Sequence, residues 1–289
     1  MRERVARSRV LVARGRKPAV VARVMQVSRQ AIYRKPKRRT DPGPRPVSGT
    51  VDKAIVAVAK DNPTDGTRMV AALTSREIGR RVSRKRAQRV MRQGRLLQRH
   101  RPSGRRRRPG YFRVERPDQL WHMDMTSVWV AEHGWCYLNA AIDCCTREIA
   151  AWAIDLRCRK EEALAVVERA VTAHRIEPGQ LVLGTDNGTA YTSRGFRARL
   201  RELGITHRRG GYRDPESQAF IESWFSKLKE RCVWREEFET LDHARAGIAA
   251  YIERYHHRPH QFLHYRTPKE VRQTWDDAKE TEALRNHAA

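Results

Sequence analysis

The chain has 289 residues, enough for one large domain or for two to three small ones. It carries 60 Lys and Arg against 33 Asp and Glu, a formal net charge of +27, and such an excess indicates a polyanionic partner. No apolar run approaches the roughly 18 residues that a membrane span needs, and no secretory signal pattern is visible, so we expect no membrane partner and a cytoplasmic location. Five cysteines without CxxC spacing argue against a disulfide framework.

The positive charge is concentrated at the start of the chain. Residues 1–110 hold 33 Lys and Arg but only 6 Asp and Glu, so they account for the whole net charge, and residues 111–289 are balanced. This asymmetry predicts a polyanion-binding region that precedes a globular domain.

Two basic helical segments are expected within this region. In residues 1–35, Ser28 is placed to cap a short helix over 29–34 that presents Arg29, Gln30 and Arg34 outward. A Pro-rich linker is expected over 36–50. Residues 51–100 repeat the pattern, and there Ser83 caps a helix with the basic residues Arg84, Lys85, Arg86 and Arg89. Both outlines are typical of helix-turn-helix modules that place their last helix in the major groove of DNA, although basic hairpins that bind RNA, or nothing specific, would show the same pattern.

A second basic linker is expected over 101–118, then a core over 119–275 and a C-terminal tail over 276–289. The core begins with three segments typical of antiparallel strands, followed by a helix at 160–174, a buried strand at 181–186, a helix, a possible strand and a helix at 216–231. This order predicts an α/β fold, a mixed sheet with helices packed on it. The tryptophans of the core, namely Trp121, Trp129, Trp135, Trp152 and Trp224, are expected to be buried.

Three acidic residues in this core are candidates for chemistry. Asp124 lies in the middle of an apolar strand, where an unpaired carboxylate would cost several kcal/mol. Asp186 lies at the C-terminal end of its strand, and Glu222 lies early in a helix. Taken singly, Asp186 could form a turn and Glu222 could be a surface residue. Together they are oxygen ligands that suit Mg²⁺ or Mn²⁺ better than zinc.

Their spacing resembles that of a known family. Residues 187–221, which separate Asp186 from Glu222, number 35, as in the D,D(35)E triad of retroviral integrases and bacterial insertion-sequence transposases. The segments LWHMDMT, AIDCCTREIAAWAI, GTDNGTAYTS and AFIESWFSKLKER resemble four of the family's motifs in order, and YHHRPHQFLHYRTPKEV resembles the closing motif of second-reading-frame transposases. The likeness covers about residues 64–275.

The resemblance implies a ribonuclease-H-like mixed sheet with flanking helices, preceded by all-α helix-turn-helix segments. It implies a DNA transposase that cleaves element ends to expose a 3′-OH and then joins that end to DNA, with Asp124, Asp186 and Glu222 as catalytic and metal-binding residues. Two Mg²⁺ or Mn²⁺ ions are expected, with Asp124 bridging them. The implied partners are double-stranded DNA, further copies of the chain on DNA and an upstream-frame protein, at the nucleoid in the cytoplasm.

Other polar residues are assigned lesser roles. Lys229, seven residues after Glu222 on the same helical face, is a candidate phosphate contact. Asp143 and Asp155 are expected to be structural. The histidines of the C-terminal region, His256, His257, His260 and His264, lie in a Pro-interrupted stretch and are expected to pack or to contact DNA rather than to bind a metal.

The chain departs from the family pattern in two places. Gly184-Thr185-Asp186 stands where these transposases usually have His-Ser-Asp, and residues 1–99 contain no His or Cys and therefore no integrase-type zinc module. Two further functions fit the same residues: a DNA-binding regulator that is derived from a transposase and has lost its activity, and a ribonuclease-H-like nuclease.

Overall fold

The computed structural model describes residues 1–33, 49–98, 114–210 and 218–287. The chain divides into two compact units, Met1–Pro46 and Val47–Ala289. The second basic segment therefore belongs to the same unit as the core. Nearly all of the Pro-rich linker 36–50 and most of the basic linker 101–118 lie outside the described residues.

The first unit consists of three short helices. Val21, Ala22 and Ile32 form its small apolar core. The hydroxyl of Ser28 accepts a hydrogen bond from the backbone N–H of Ala31 at 3.2 Å, so the predicted cap is confirmed. The three helices are α1 (Arg2–Ala13), α2 (Pro18–Val24) and α3 (Arg29–Tyr33).

Three more helices open the second unit and form a helical module over residues 50–98. Their facing sides bury Ile55, Val70 and Val90 completely. Ser83 caps the third helix by accepting from the backbone N–H of Arg86 at 3.2 Å, as the sequence predicts. The helices are α4 (Thr50–Asp61), α5 (Thr67–Glu77) and α6 (Arg84–Gln93).

A five-stranded mixed sheet follows, with strand order β3-β2-β1-β4-β5. The first three strands are antiparallel, and the last two run parallel to the first strand. This confirms the predicted α/β class and the three antiparallel strands. The strands are β1 (Leu120–Val130), β2 (Gly134–Asp143), β3 (Ile149–Asp155), β4 (Val182–Thr185) and β5 (Thr206–Arg209).

Helices cover both faces of the sheet. The helices over 160–174 and 194–202 pack with Trp121 and Met123 on one face, and the helices over 219–231 and 241–256 pack with Val128 and Val130 on the other. In the described chain, no helix combines the length and the apolar character needed to cross a bilayer. The helices of the core are α7 (Lys160–His174), α8 (Thr189–Thr192), α9 (Arg194–Glu202), α10 (Ala219–Arg231), α11 (Leu241–His256) and α12 (Pro268–His287). Because α12 is one continuous helix, the tail expected from residue 276 begins inside it.

The expectation of buried tryptophans is wrong for one pair. Trp121 and Trp224 are buried and Trp152 is half-buried, but Trp129 and Trp135 are 54% and 58% exposed. These two residues pair across the β1–β2 hairpin near its turn, with ring centroids 5.3 Å apart in an edge-to-face arrangement. They are exposed because they share an outward face of the hairpin, where each ring packs against the other.

Ion pairs fix the helical module to the core. Asp65, in the loop between α4 and α5, is 3% exposed and accepts from the guanidiniums of Arg231, at 2.8 Å, and Arg258. Further along, both terminal nitrogens of Arg76 donate to the two carboxylate oxygens of Glu270 at 2.8 Å. Because bidentate and buried charged pairs hold a defined geometry, the module is oriented on the core.

We expect Asp65→Ala to lower the free energy of unfolding by about 2–4 kcal/mol, because it leaves two largely buried guanidiniums without their counter-charge. Urea denaturation followed by circular dichroism measures the change. Asp61→Ala, which removes an exposed carboxylate from the end of α4, is the matched control and should have almost no effect. Equal unfolding midpoints for the two variants would contradict the docking role of Asp65.

Candidate functional site: an acidic edge of the sheet

Parallel pairing of β1 and β4 brings two acidic residues side by side. Met123 of β1 pairs with Thr185 of β4, and the residue that follows each of them is an aspartate, Asp124 after Met123 and Asp186 after Thr185. Adjacent strands lie about 4.8 Å apart, so the two backbones carry the carboxylates as neighbours. Side chains alternate along β1, so Asp124 shares its face with Val128 and Val130, the face that α10 covers.

Glu222 comes to the same region from the helix. It is exposed in the first turn of α10, whose Ile221, Trp224 and Phe225 are buried against the sheet. This apolar face fixes the rotation of the helix and therefore the direction of Glu222. The buried face of α10 can be predicted from the sequence, because its apolar residues recur with the helical period of 3.6.

The electrostatics of Asp124 reflect this convergence. Burial, together with the nearby charges of Asp186 and Glu222, raises the pKa of its carboxyl to about 6. Two influences oppose them: a 2.7 Å hydrogen bond from the backbone N–H of Met125 and the positive charge of Lys229. The charges of Asp186, Glu222 and Lys229 therefore all act on the carboxyl of Asp124.

The loop after β4 holds Asp186 at the edge of the sheet. The Asp186 carboxylate accepts from the backbone N–H of Gly188 at 2.9 Å, and a Cβ at position 188 would lie 3.0 Å from that oxygen, so glycine permits the close turn. The side-chain amide of Asn187 donates to the carbonyl of Gly210 at 2.9 Å, which ties the loop to the end of β5. Asp186 itself is exposed.

Two residues that the sequence does not single out lie behind the acids. The buried hydroxyl of Tyr191 donates to the side-chain oxygen of Asn139 at 3.2 Å, and burial together with the charges of Asp124 and Asp186 raises its pKa well above the ordinary value. Tyr191 therefore stays a neutral phenol at the base of the site. No sequence pattern signals it, because the contact joins residues 52 positions apart.

A histidine fills the space beside Gly184. His122 is buried and stacks on Phe220 with ring centroids 5.6 Å apart, and burial lowers its pKa to about 4, so the ring is neutral. His122 pairs with Gly184 across the strands, and a Cβ at 184 would lie 3.0 Å from the imidazole. The glycine that departs from the family pattern thus makes room for this ring.

The three acids are suited to a hard cation but do not enclose one. Within the described ranges, no three His, Cys, Asp or Glu side chains stand close enough together to hold a metal ion. The donors are all carboxylate oxygens, which is the chemistry that Mg²⁺ and Mn²⁺ prefer. Burial, and after it the charges of Asp186 and Glu222, raise the pKa of Asp124, and a bound cation would offset both effects on the carboxylate.

The predicted DNA-contacting residues fall into distinct groups. Arg29 and Gln30 on α3, and Arg84 and Lys85 on α6, are exposed. Arg34 lies outside the described residues.

The other two basic residues predicted on α6 have an intramolecular partner. Arg86 and Arg89 donate to the buried carboxylate of Asp52 at 2.6 and 2.9 Å. No sequence pattern signals this pairing, because Asp52 lies 34 and 37 positions before its two partners. A role for any of these residues in DNA contact stays a prediction.

The residues expected to be structural make contacts of that kind. The Asp143 carboxylate is fully buried and accepts from the backbone N–H groups of Asp118, Cys145 and Thr146, each at 2.7 Å. His256 accepts from the backbone N–H of Ile149 at 3.0 Å, which is a packing role.

The core of the chain is similar to a known protein family. Two family models, both described as integrase core domain, match residues 114–215 and 203–268. The first span contains Asp124 and Asp186, and the second contains Glu222. This part of the chain is an integrase core domain with a five-stranded mixed sheet.

Relatives extend the match along the chain. The chain is 29% identical over 287 residues to the transposase InsD of insertion element IS2-9 from Escherichia coli, which covers 93% of each protein. It is 31% identical over 161 residues to the transposase of insertion sequence IS904 from Lactococcus lactis, a match that spans 55% of this chain and 63% of that relative. The chain therefore contains an integrase core domain and is similar along most of its length to transposases of insertion sequences.

Solved structures show a weaker likeness. A simian T-cell lymphotropic virus intasome in complex with the PP2A regulatory subunit B56 gamma is 17% identical, covers 69% of this chain and 68% of that chain, and has a TM-score of 0.41. The HTLV-2 integrase catalytic core domain in complex with magnesium is 15% identical, covers 54% of this chain and 96% of that chain, and has a TM-score of 0.43.

We expect Asp124→Asn to be more stable than the natural chain at about pH 7.5 in the presence of a chelator. The folded-state pKa of about 6 lies above the ordinary 3.8, so the folded state binds the proton more tightly, and stability falls as the pH rises from about 4 to about 6. Above that range the ionised carboxylate costs up to about 2–3 kcal/mol, which the neutral amide avoids.

Chemical denaturation at about pH 7.5 and about pH 4.5 measures this advantage, which should shrink at the lower pH. Asp61→Asn, at an exposed position, should show no such dependence. A variant that is less stable than the natural chain at the higher pH would show that Asp124 is not a strained carboxylate.

Proposed function

We propose that the protein is a DNA transposase. It cleaves DNA at the ends of an insertion element to expose a 3′-OH, and it joins that end to target DNA by in-line phosphoryl transfer. The single observation that carries this proposal is the adjacency of Asp124 and Asp186 on paired parallel strands, with the charge of Glu222 acting on the same carboxyl. Similarity to transposases of insertion sequences supports the reaction class.

The proposed cofactor is a pair of Mg²⁺ or Mn²⁺ ions, for which Asp124, Asp186 and Glu222 supply the ligands. All of these ligands are carboxylate oxygens, the donors that Mg²⁺ and Mn²⁺ prefer. When bound, such ions activate an oxygen nucleophile and stabilise the leaving oxygen. Asp186 and Glu222 are exposed, so their side chains would turn toward Asp124 to close the site.

The chain's own residues prepare the site for this role. The raised pKa of Asp124 reflects a carboxylate that is largely shielded from water. Its electrostatic attraction to a bound cation would be stronger there than in water. Lys229, half-buried on α10, adds a positive charge on the same side and is the proposed contact for a DNA phosphate. Tyr191 stays a neutral phenol and therefore adds no negative charge of its own near the reacting phosphate.

The proposed partners are double-stranded DNA at the element ends and at the target, with the chain acting as an oligomer because two ends must be joined. Arg29, Gln30, Arg84 and Lys85 are exposed on the last helices of their three-helix segments, a placement that supports DNA contact. An upstream-frame partner and nucleoid association stay predictions.

The test is a cleavage and joining assay. The purified chain is incubated with Mg²⁺ or Mn²⁺ and labelled duplex DNA from the flanks of its own gene, beside Asp124→Asn, Asp186→Asn and Glu222→Gln. We expect site-specific nicking and then strand joining, each reduced by about 10³-fold or more in all three variants. DNA affinity should stay within about twofold, because none of the three substitutions touches the proposed phosphate contacts.

Glu230→Gln is the matched control, since it removes an exposed carboxylate from the same helix as Glu222. Cleavage that persists in the three acidic variants, or that needs no metal, would overturn the assignment of the site. Binding without cleavage by the natural chain would instead identify a regulator that has lost its chemistry.

A further inference from the structure

A basic cleft of about 830 Å³ lies between α9 and β5, outside the acidic site. Arg194, Arg197 and Arg201 line it from the helix, and Arg209 lines it from the strand; we refer to these four residues as the cleft arginines. No Asp or Glu is among the described residues that form its walls. The cleft is therefore positive along its whole length.

Helix α9 separates its arginines by face. Arg194, Arg197 and Arg201 recur at intervals of three and four residues, so they project from one side, and all are exposed. Arg199 projects elsewhere and donates to Glu168 at 2.7 Å and Glu202 at 2.9 Å. In the described part of the chain, the cleft arginines form no ion pair, whereas the arginine outside the cleft has two.

The positive charge also acts on a histidine in the wall of the cleft. His207 of β5 lies 2.8 Å from the hydroxyl of Thr185 through its Nε2 atom. Burial lowers the pKa of His207, and the charges of Arg209 and Arg197 lower it further. The positive charges of Arg197 and Arg209 therefore both act on His207, and no acidic residue in the described walls of the cleft offsets them. An anionic ligand would stabilise this arrangement.

The strand that lines the cleft ends beside the loop that carries Asp186, and the cleft lies on the face of the sheet opposite to Asp124. Strand β5 runs parallel to β4, and Arg209 pairs with Thr185, the residue before Asp186. The side chain of Asn187 donates to the carbonyl of Gly210, so the loop that carries Asp186 is bonded to the end of the strand that lines the cleft. A ligand that follows β5 along the cleft reaches the edge of the sheet where Asp186 lies.

We propose that the cleft between α9 and β5 binds the phosphate backbone of a DNA duplex and directs it toward Asp186. Guanidiniums bind phosphates bidentately, and several of them along a groove match the repeated charges of a strand. The four contacts are independent of base sequence, since they address phosphates only. The proposal rests on the proposed function for the identity of the polyanion as DNA.

The salt dependence of DNA binding tests it directly. The affinity of the full chain for a random-sequence duplex is measured by fluorescence anisotropy between about 50 and 300 mM KCl for Arg197→Gln, Arg201→Gln and the double variant. The slope of log affinity against log salt should become shallower by about 0.9 for each phosphate contact that is lost. Arg199→Gln, on the same helix but paired with acids, should keep the natural slope.

Two reaction arms then identify the duplex. If the double variant cleaves an element-end duplex more slowly than the natural chain, the cleft binds element ends. If only the joining of a pre-cleaved end to plasmid DNA is slower, the cleft binds target DNA. Unchanged slopes in all the cleft variants overturn the proposal, even if the natural chain cleaves DNA. Absence of cleavage by the natural chain overturns the proposed function instead, because the salt slopes do not depend on catalysis.

Discussion

The parallel pairing of β1 with β4 is the constraint on which the site depends. It sets Asp124 beside Asp186, and it does so at a cost, because a half-buried carboxylate with acidic neighbours has a raised pKa. The cost is tolerable because the two strands are anchored by large buried residues on the opposite face, including Trp121, Met123 and Leu183. A slip of one residue between the strands would turn one carboxylate to the wrong face, so the packing of that core protects the site.

The remaining elements are arranged around this pair of strands. Helix α10 packs its apolar face on one side of the sheet and thereby brings Glu222 and Lys229 toward Asp124. Strand β5 extends the sheet beyond β4 and carries Arg209 to the same edge. Strand order thus places the acidic site and the basic cleft near the same edge of the sheet.

Much of this could be predicted from the sequence, and the failures have a common physical cause. Alternation along 120–130 and the periodicity of 160–174 predict β1 and α7 with their observed bounds, since local pattern determines them. The contacts of Asp52, Asp65 and Tyr191 could not be predicted, because their partners lie tens to nearly two hundred residues away along the chain. Trp129 was wrongly expected to be buried, since hydrophobicity alone does not reveal that the hairpin exposes one of its faces.

The binding of Mn²⁺ to the full chain, followed by electron paramagnetic resonance, tests whether the three carboxylates serve one metal site. We expect Asp124→Asn, Asp186→Asn and Glu222→Gln each to weaken binding by at least about tenfold, while Glu230→Gln binds as the natural chain does. Natural affinity in any one of the three variants would show that its carboxylate does not belong to the site.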